Sequence, residues 1–145
     1  MRETILIVLT LALCILNSGC DSESSTTELN DPVVSNSESF TDAISYNNRG
    51  LTYFNQGELD KAFADFTKAI ELDPQLIMAY QNRGSLYFTQ GELDAAIADH
   101  TKAIELDPAN AVTHYYRGIV FEKLGDKENA EADYAKAKEL GYEPE

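Results

Sequence analysis

The sequence predicts an all-α protein, most of it a short α-solenoid of three helix–turn–helix units (six helices). Two observations carry this. Glycine recurs at Gly50, Gly84 and Gly118 and again at Gly57, Gly91 and Gly125, each series stepping by 34 residues, and alanine keeps that step at Ala62, Ala96 and Ala130 and at Ala69, Ala103 and Ala137. A unit of this length cannot bury its apolar face alone and must stack on its neighbours. Within a unit the spacing is helical. Tyr46, Gly50 and Tyr53 stand at i, i+4 and i+7 of a first helix, and Ala62, Phe66 and Ala69 form the same stripe on a second.

Residues 1–19 differ in kind. Arg2 and the amino terminus are positive, residues 5–16 are apolar apart from Thr10 and Cys14, and the small residues Ser18 and Gly19 precede Cys20. The apolar run of about a dozen residues falls short of the roughly 20 that a helix needs to cross a bilayer. Charged, apolar and small-residue regions in that order are the layout of a secretory signal. The end of the segment resembles a bacterial lipobox, with Asn17 where Leu is usual. The resemblance implies removal of 1–19 and acylation of Cys20, palmitate included; ordinary secretory cleavage and an uncleaved anchor are the alternatives. Cys14 would leave with the signal, so Cys20 would have no disulfide partner in the chain. Asp21, directly after it, resembles an inner-membrane retention signal of some Gram-negative bacteria.

Residues 20–41 are rich in Ser, Thr and Asn, carry Asp21, Glu23, Glu28, Asp31 and Glu38, and contain no Lys or Arg. Such a composition cannot bury enough apolar surface to order itself. A flexible acidic tether with a mean span of about 25 Å is expected.

Helices are expected over roughly 42–55, 58–71, 76–89, 92–105, 110–123 and 126–140. Gly57 and Glu58 break the first pair, and Asp60 suits the positive end of the next helix dipole. Asp73-Pro74 ends the pair, because Pro cannot continue a helix and disfavours helical backbone before it. Small residues let the paired helices approach, with Gly50 expected against Ala62 and Ala69. In the third unit, Glu131 and Lys138 replace the apolar Phe63/Ile70 and Ile97/Ile104, and Gly141-Tyr142 replaces Asp-Pro. Charged residues there fit a last helix that faces water, as a capping repeat requires.

Several features recur together. Gly is followed three residues later by an aromatic (Gly50/Tyr53, Gly84/Tyr87, Gly118/Phe121). After the turn glycine come the two small alanines with Phe66, His100 or Tyr134 between them, and Leu-Asp-Pro ends two units. This pattern over 42–142 resembles the tetratricopeptide repeat (TPR) family, with repeats at about 43–76, 77–110 and 111–142. The resemblance implies a right-handed solenoid that binds protein or peptide and does no chemistry. It also implies a concave groove lined by the first helix of each repeat. The groove face then holds Ile44, Asn47, Asn48, Leu51, Phe54 and Asn55; Met78, Gln81, Asn82, Ser85, Phe88 and Thr89; and Val112, Tyr115, Ile119, Glu122 and Lys123. Phe54, Phe88 and Tyr115 are its expected aromatic anchors, and its amides are expected to bond peptide backbone. Members that clamp a C-terminal carboxylate use Lys, Arg and Asn. Asn48 and Asn82 match the Asn, but Val112 and Tyr116 stand where cations would be needed.

Arg49, Arg83 and Arg117 recur where the family usually carries Leu, and Asp65, Asp99 and Asp133 follow each by sixteen residues. Fixed spacing points to structural ion pairs, within a unit or between units, since a planar guanidinium satisfies a carboxylate in a partly buried site. Because Leu is usual there, Arg83→Leu is expected to cost less stability than Asp99→Ala. Eleven basic residues against 25 acidic ones give a net charge of −14. Such a chain is a poor nucleic-acid binder and is repelled by anionic lipid, so membrane contact is expected through the anchor alone. No phosphate loop, nucleophile elbow or metal-ligand spacing is present. His100 is expected in the core, and neither cofactor nor metal is expected. The function expected is therefore a non-catalytic interaction module at the bacterial cell envelope, facing periplasm or exterior; the alternatives are a secreted or periplasmic form, and a self-associating scaffold with no separate ligand.

Overall fold

The computed structural model describes residues 42–143. The signal segment 1–19, Cys20 and the segment 20–41 lie outside the described residues, apart from the boundary with Asp42. The described residues form six α-helices and no strand. These are α1 (Ala43–Asn55), α2 (Leu59–Leu72), α3 (Ile77–Gln90), α4 (Leu93–Leu106), α5 (Ala111–Leu124) and α6 (Lys127–Glu139). Each end lies within one residue of its expected place.

Local chemistry sets the boundaries. Asp42 caps α1 by accepting from the Ser45 amide at 2.8 Å, and Asn110 caps α5 by accepting from Thr113 at 3.1 Å. Between α3 and α4 the chain reverses at Gly91, whose φ of 83° is the left-handed region that glycine enters without strain. There the Glu92 amide donates to the Tyr87 carbonyl at 2.9 Å, a C-terminal cap that leaves room for the immediate start of α4. Asp73 and Asp107, each before a proline, are extended and stop α2 and α4.

The helices pair as α1/α2, α3/α4 and α5/α6, and α2 meets α3 as α4 meets α5. In addition α1 touches α3 and α3 touches α5, whereas α2 and α4, and α4 and α6, make no contact. The odd-numbered helices are thus drawn together on the inside of the curve and the even-numbered ones fan outside.

Gly50 packs differently from expectation. A Cβ there would lie 2.8 Å from the Phe66 ring and 3.2 Å from Asp65 Cβ, so the glycine seats an aromatic ring rather than facing Ala62 and Ala69. Gly84 does the same for the His100 ring and Gly118 for Tyr134. Each hairpin is therefore closed by a ring pressed onto a bare stretch of helix. Phe66, Leu86, His100 and Val120 are fully buried, and Ala62, Ala69, Ala96 and Ala103 are closed off completely beside them.

Candidate functional site

The inner face of α1, α3 and α5 is the candidate site. It carries exposed apolar side chains that a free surface does not need: Ile44 and Leu51 on α1, Met78 on α3, Val112 and Tyr116 on α5, each between 40% and 54% exposed. Ile44, Met78 and Val112 hold one register, one per repeat. Exposed apolar side chains repeated at one register across three helices mark a candidate interaction face.

Toward the C-terminal ends of α1 and α3 this face holds a hollow of about 170 Å³. Phe54 enters it from α1, Ser85, Phe88 and Thr89 from α3, and Tyr116, Ile119 and Val120 from α5. His100 of α4 also lines it, with its ring 6.3 Å from that of Tyr116 and nearly parallel to it. His100 is 1% exposed, and its Nδ1 has no hydrogen-bond partner. Burial is the main force lowering its pKa from 6.5 to about 4; Asp99 opposes this, Arg117 adds to it and Asp133 opposes it. The imidazole is therefore neutral near pH 7.

Five of the expected groove residues, Phe54, Ser85, Phe88, Thr89 and Ile119, meet at this hollow. Asn48, Leu51 and Asn55 are exposed on α1. The amides bonded between helices are a correction. Asn47 is 2% exposed and its Oδ1 accepts from Asn82 Nδ2 at 2.9 Å. Gln81 Nε2 donates to the buried Thr113 hydroxyl of α5. These side chains join α1 to α3 and α3 to α5, so they hold the inner wall together instead of offering themselves to a peptide backbone. Burial between successive helices satisfies them.

Tyr115 is the second correction. Its ring lies 4.6 Å from Tyr142 and 5.5 Å from Tyr134, and with them it lines a separate cavity of about 650 Å³ on α5 and α6. The Schellman-type turn at Gly141, with the Tyr142 amide donating to Ala137 carbonyl at 2.9 Å, folds Tyr142 onto it. Burial, and after it the 2.6 Å bond that its hydroxyl donates to Glu122, pushes the pKa of Tyr134 up to about 12. The aromatic that faces the hollow is Tyr116, one residue further on. Its register with Asn48 and Asn82 was the signal that would have found it.

The arginines lie away from the hollow. Arg49 Nε and Nη2 donate to Asp65, both at 2.6 Å. Arg83 donates to Asp99 at 2.7 and 2.9 Å, and Arg117 to Asp133 at 2.8 Å through both nitrogens. The pairing is within each unit. Arg83 Nη1 and Arg117 Nη1 also donate to Thr67 and Thr101 of the preceding unit, so each guanidinium ties two repeats. His114 is buried, its Nδ1 3.3 Å from Asp133 and its Nε2 3.2 Å from the Pro108 carbonyl. Among the described residues no group of three His, Cys, Asp or Glu could hold a metal ion.

The tetratricopeptide repeat family matches residues 43–76, 66–98 and 113–140, and its related TPR repeat description matches 84–125. Residues 43–140 are tetratricopeptide repeats. No curated protein matches the chain in sequence. The first TPR of Spaghetti (RPAP3), bound to the HSP90 peptide SRMEEVD, is 29% identical over 71% of this chain and 82% of its own, with a TM-score of 0.68. The second TPR of Spaghetti, with the same peptide, is 28% identical over 69% of this chain and 93% of its own, at 0.66. MamA is 28% identical over 70% of this chain and 60% of its own, at 0.67. The tetratricopeptide repeats of this chain thus share the fold of these domains.

Proposed function

We propose that this protein is a non-catalytic interaction module, held at the bacterial cell envelope by a lipid on Cys20, that binds a peptide segment of a partner protein in the groove of α1, α3 and α5. The observation that carries the groove is the exposed apolar track Ile44, Leu51, Met78, Val112 and Tyr116 running beside a hollow built from those same helices. The peptide held by the two TPR domains of Spaghetti supports the use of such a scaffold for a peptide. The signal layout ahead of Cys20 supports the envelope placement, facing periplasm or exterior, with the acidic segment 20–41 as the tether.

The test is Phe54→Ala with Phe88→Ala on the purified full chain. Desolvated aromatics dominate such interfaces at about 2 kcal/mol or more each, so partner affinity should fall roughly tenfold or more with helical circular dichroism retained. Binding that survives the pair but disappears in moderate salt would place the partner on the acidic outer surface instead.

A further inference from the structure

The hollow over His100 says more about what enters the groove, and the inference rests on the groove reading above. Its volume of about 170 Å³ is close to the roughly 150 Å³ of an apolar cavity that takes up benzene. It has room for one aromatic ring system and no more. Phe54, Phe88, Ile119 and Val120 give it apolar walls.

Three hydroxyls line it, those of Ser85, Thr89 and Tyr116, beside the neutral ring of His100, and none of these groups carries a charge near pH 7. Ser85 Oγ donates to the Gln81 carbonyl at 3.0 Å and Thr89 Oγ1 donates to the Ser85 carbonyl at 2.9 Å. Both hydroxyl hydrogens are engaged by the helix itself, which leaves oxygen lone pairs for a visitor. A carboxylate would meet those lone pairs, the aromatic walls, the Tyr116 hydroxyl and a neutral His100, and so no positive charge. It would find no arginine to pair with, because Arg49, Arg83 and Arg117 are each held by an aspartate. A buried unpaired carboxylate is costly. An aromatic side chain with an N–H or O–H at its edge meets both needs: the ring fills the hollow and the donor reaches a hydroxyl oxygen.

We infer that this hollow is an anchor pocket for a tryptophan or tyrosine side chain on an uncharged stretch of the partner peptide, and that it refuses acidic tails such as SRMEEVD. The experiment is selection of a random dodecapeptide library on the purified full chain, followed by affinity measurement on the chain and on Ser85→Leu. Leu51 stands at the same register of α1, so Leu at 85 fits the repeat while filling the hollow. The expected result is enrichment of Trp or Tyr, depletion of Asp and Glu, and about tenfold or greater loss of affinity in Ser85→Leu with the helical signal unchanged. Indole, used as a probe, should perturb the amide signals of Phe88 and Ile119, and 1-methylindole, which lacks the donor, severalfold less. Selected peptides that lack Trp and Tyr, or that are acidic, or that bind Ser85→Leu equally well, would overturn the anchor while leaving the groove in place if the Phe54/Phe88 double variant still abolishes binding. Selection of no peptide at all would overturn both.

Discussion

His100 is where the register of the repeat and the chemistry of one residue disagree. Its place belongs to an aromatic ring, Phe66 in the first repeat and Tyr134 in the third, and it is buried with Nδ1 unpartnered. An unsatisfied buried nitrogen costs about 1–3 kcal/mol. His100→Phe should therefore raise the melting temperature, since Gly84 already presents the bare backbone that the Phe66 ring uses at Gly50. The unfolded imidazole takes a proton near 6.5 and the folded one only near 4, so the unfolded state binds more protons between those values. Stability is thus lost as pH falls through that window, by an amount on the order of 3 kcal/mol. The gap in melting temperature between pH 7 and pH 4.5 should shrink in the variant; an undiminished gap would assign the acid sensitivity to other groups.

The arginine pairs have a similar logic at the same scale. The family's usual Leu suggests that Arg83→Leu is the mild change, but burial reverses the order. The Asp99 side chain is 10% exposed and that of Arg83 is 17% exposed. Removing Arg83 strands the more buried carboxylate, whereas removing Asp99 leaves a guanidinium still bonded to Thr67 and able to reach water. Arg83→Leu should cost about 3 kcal/mol and Asp99→Ala about 1–2 kcal/mol in urea unfolding. The double variant Arg83→Leu, Asp99→Leu should recover much of the loss, because no charge is then left unpaired.

Among elements, the decisive contact is the ring seated on glycine within each hairpin. Alanine improves helix propensity by about 1 kcal/mol over glycine. Gly50→Ala should nevertheless destabilise, by about 1–3 kcal/mol, because its Cβ would come within 2.8 Å of the fully buried Phe66 ring, which would have to shift. Chemical denaturation checks the sign; a stabilised variant would mean the Phe66 ring shifts at little cost. The end elements differ from the middle ones. On α1, Ser45 and Thr52 stand where α3 buries Ala79 and Leu86 and α5 buries Thr113 and Val120. On α6, Glu131 and Lys138 are exposed where earlier repeats carry Ile97 and Ile104. Head-to-tail stacking of copies would bury those polar residues, which weighs against the self-associating scaffold.

For the whole molecule, charge and anchoring act in opposite directions at a membrane. A net charge of −14 repels anionic lipid, and no helix among the described residues is long and apolar enough to cross a membrane. If membrane residence rests on Cys20, then Cys20→Ala should release the chain or block its maturation, read by fractionation and by mass spectrometry of the mature N-terminus. An unmodified terminus beyond Cys20 would show ordinary secretion.

The sequence by itself determined the six helices, their turns and the stacking, because a 34-residue recurrence of glycine, alanine and aromatics constrains local backbone and packing in every unit at once. It also named Phe54, Ser85, Phe88, Thr89 and Ile119, whose helical register alone puts them on the inner face. Only the tertiary structure decided which amides were available and that Tyr115 turns away from the hollow. Asn47 and Gln81 share a helix face with open residues, and the partners that engage them come from a neighbouring helix 35 and 32 residues away in the chain. Tyr115 and Tyr116 are adjacent, and what separates their roles is Tyr142 folding back from beyond α6. Periodicity records what repeats, so it identifies a face; partners met once, across helices or at an end, depend on distances that no repeat pattern carries.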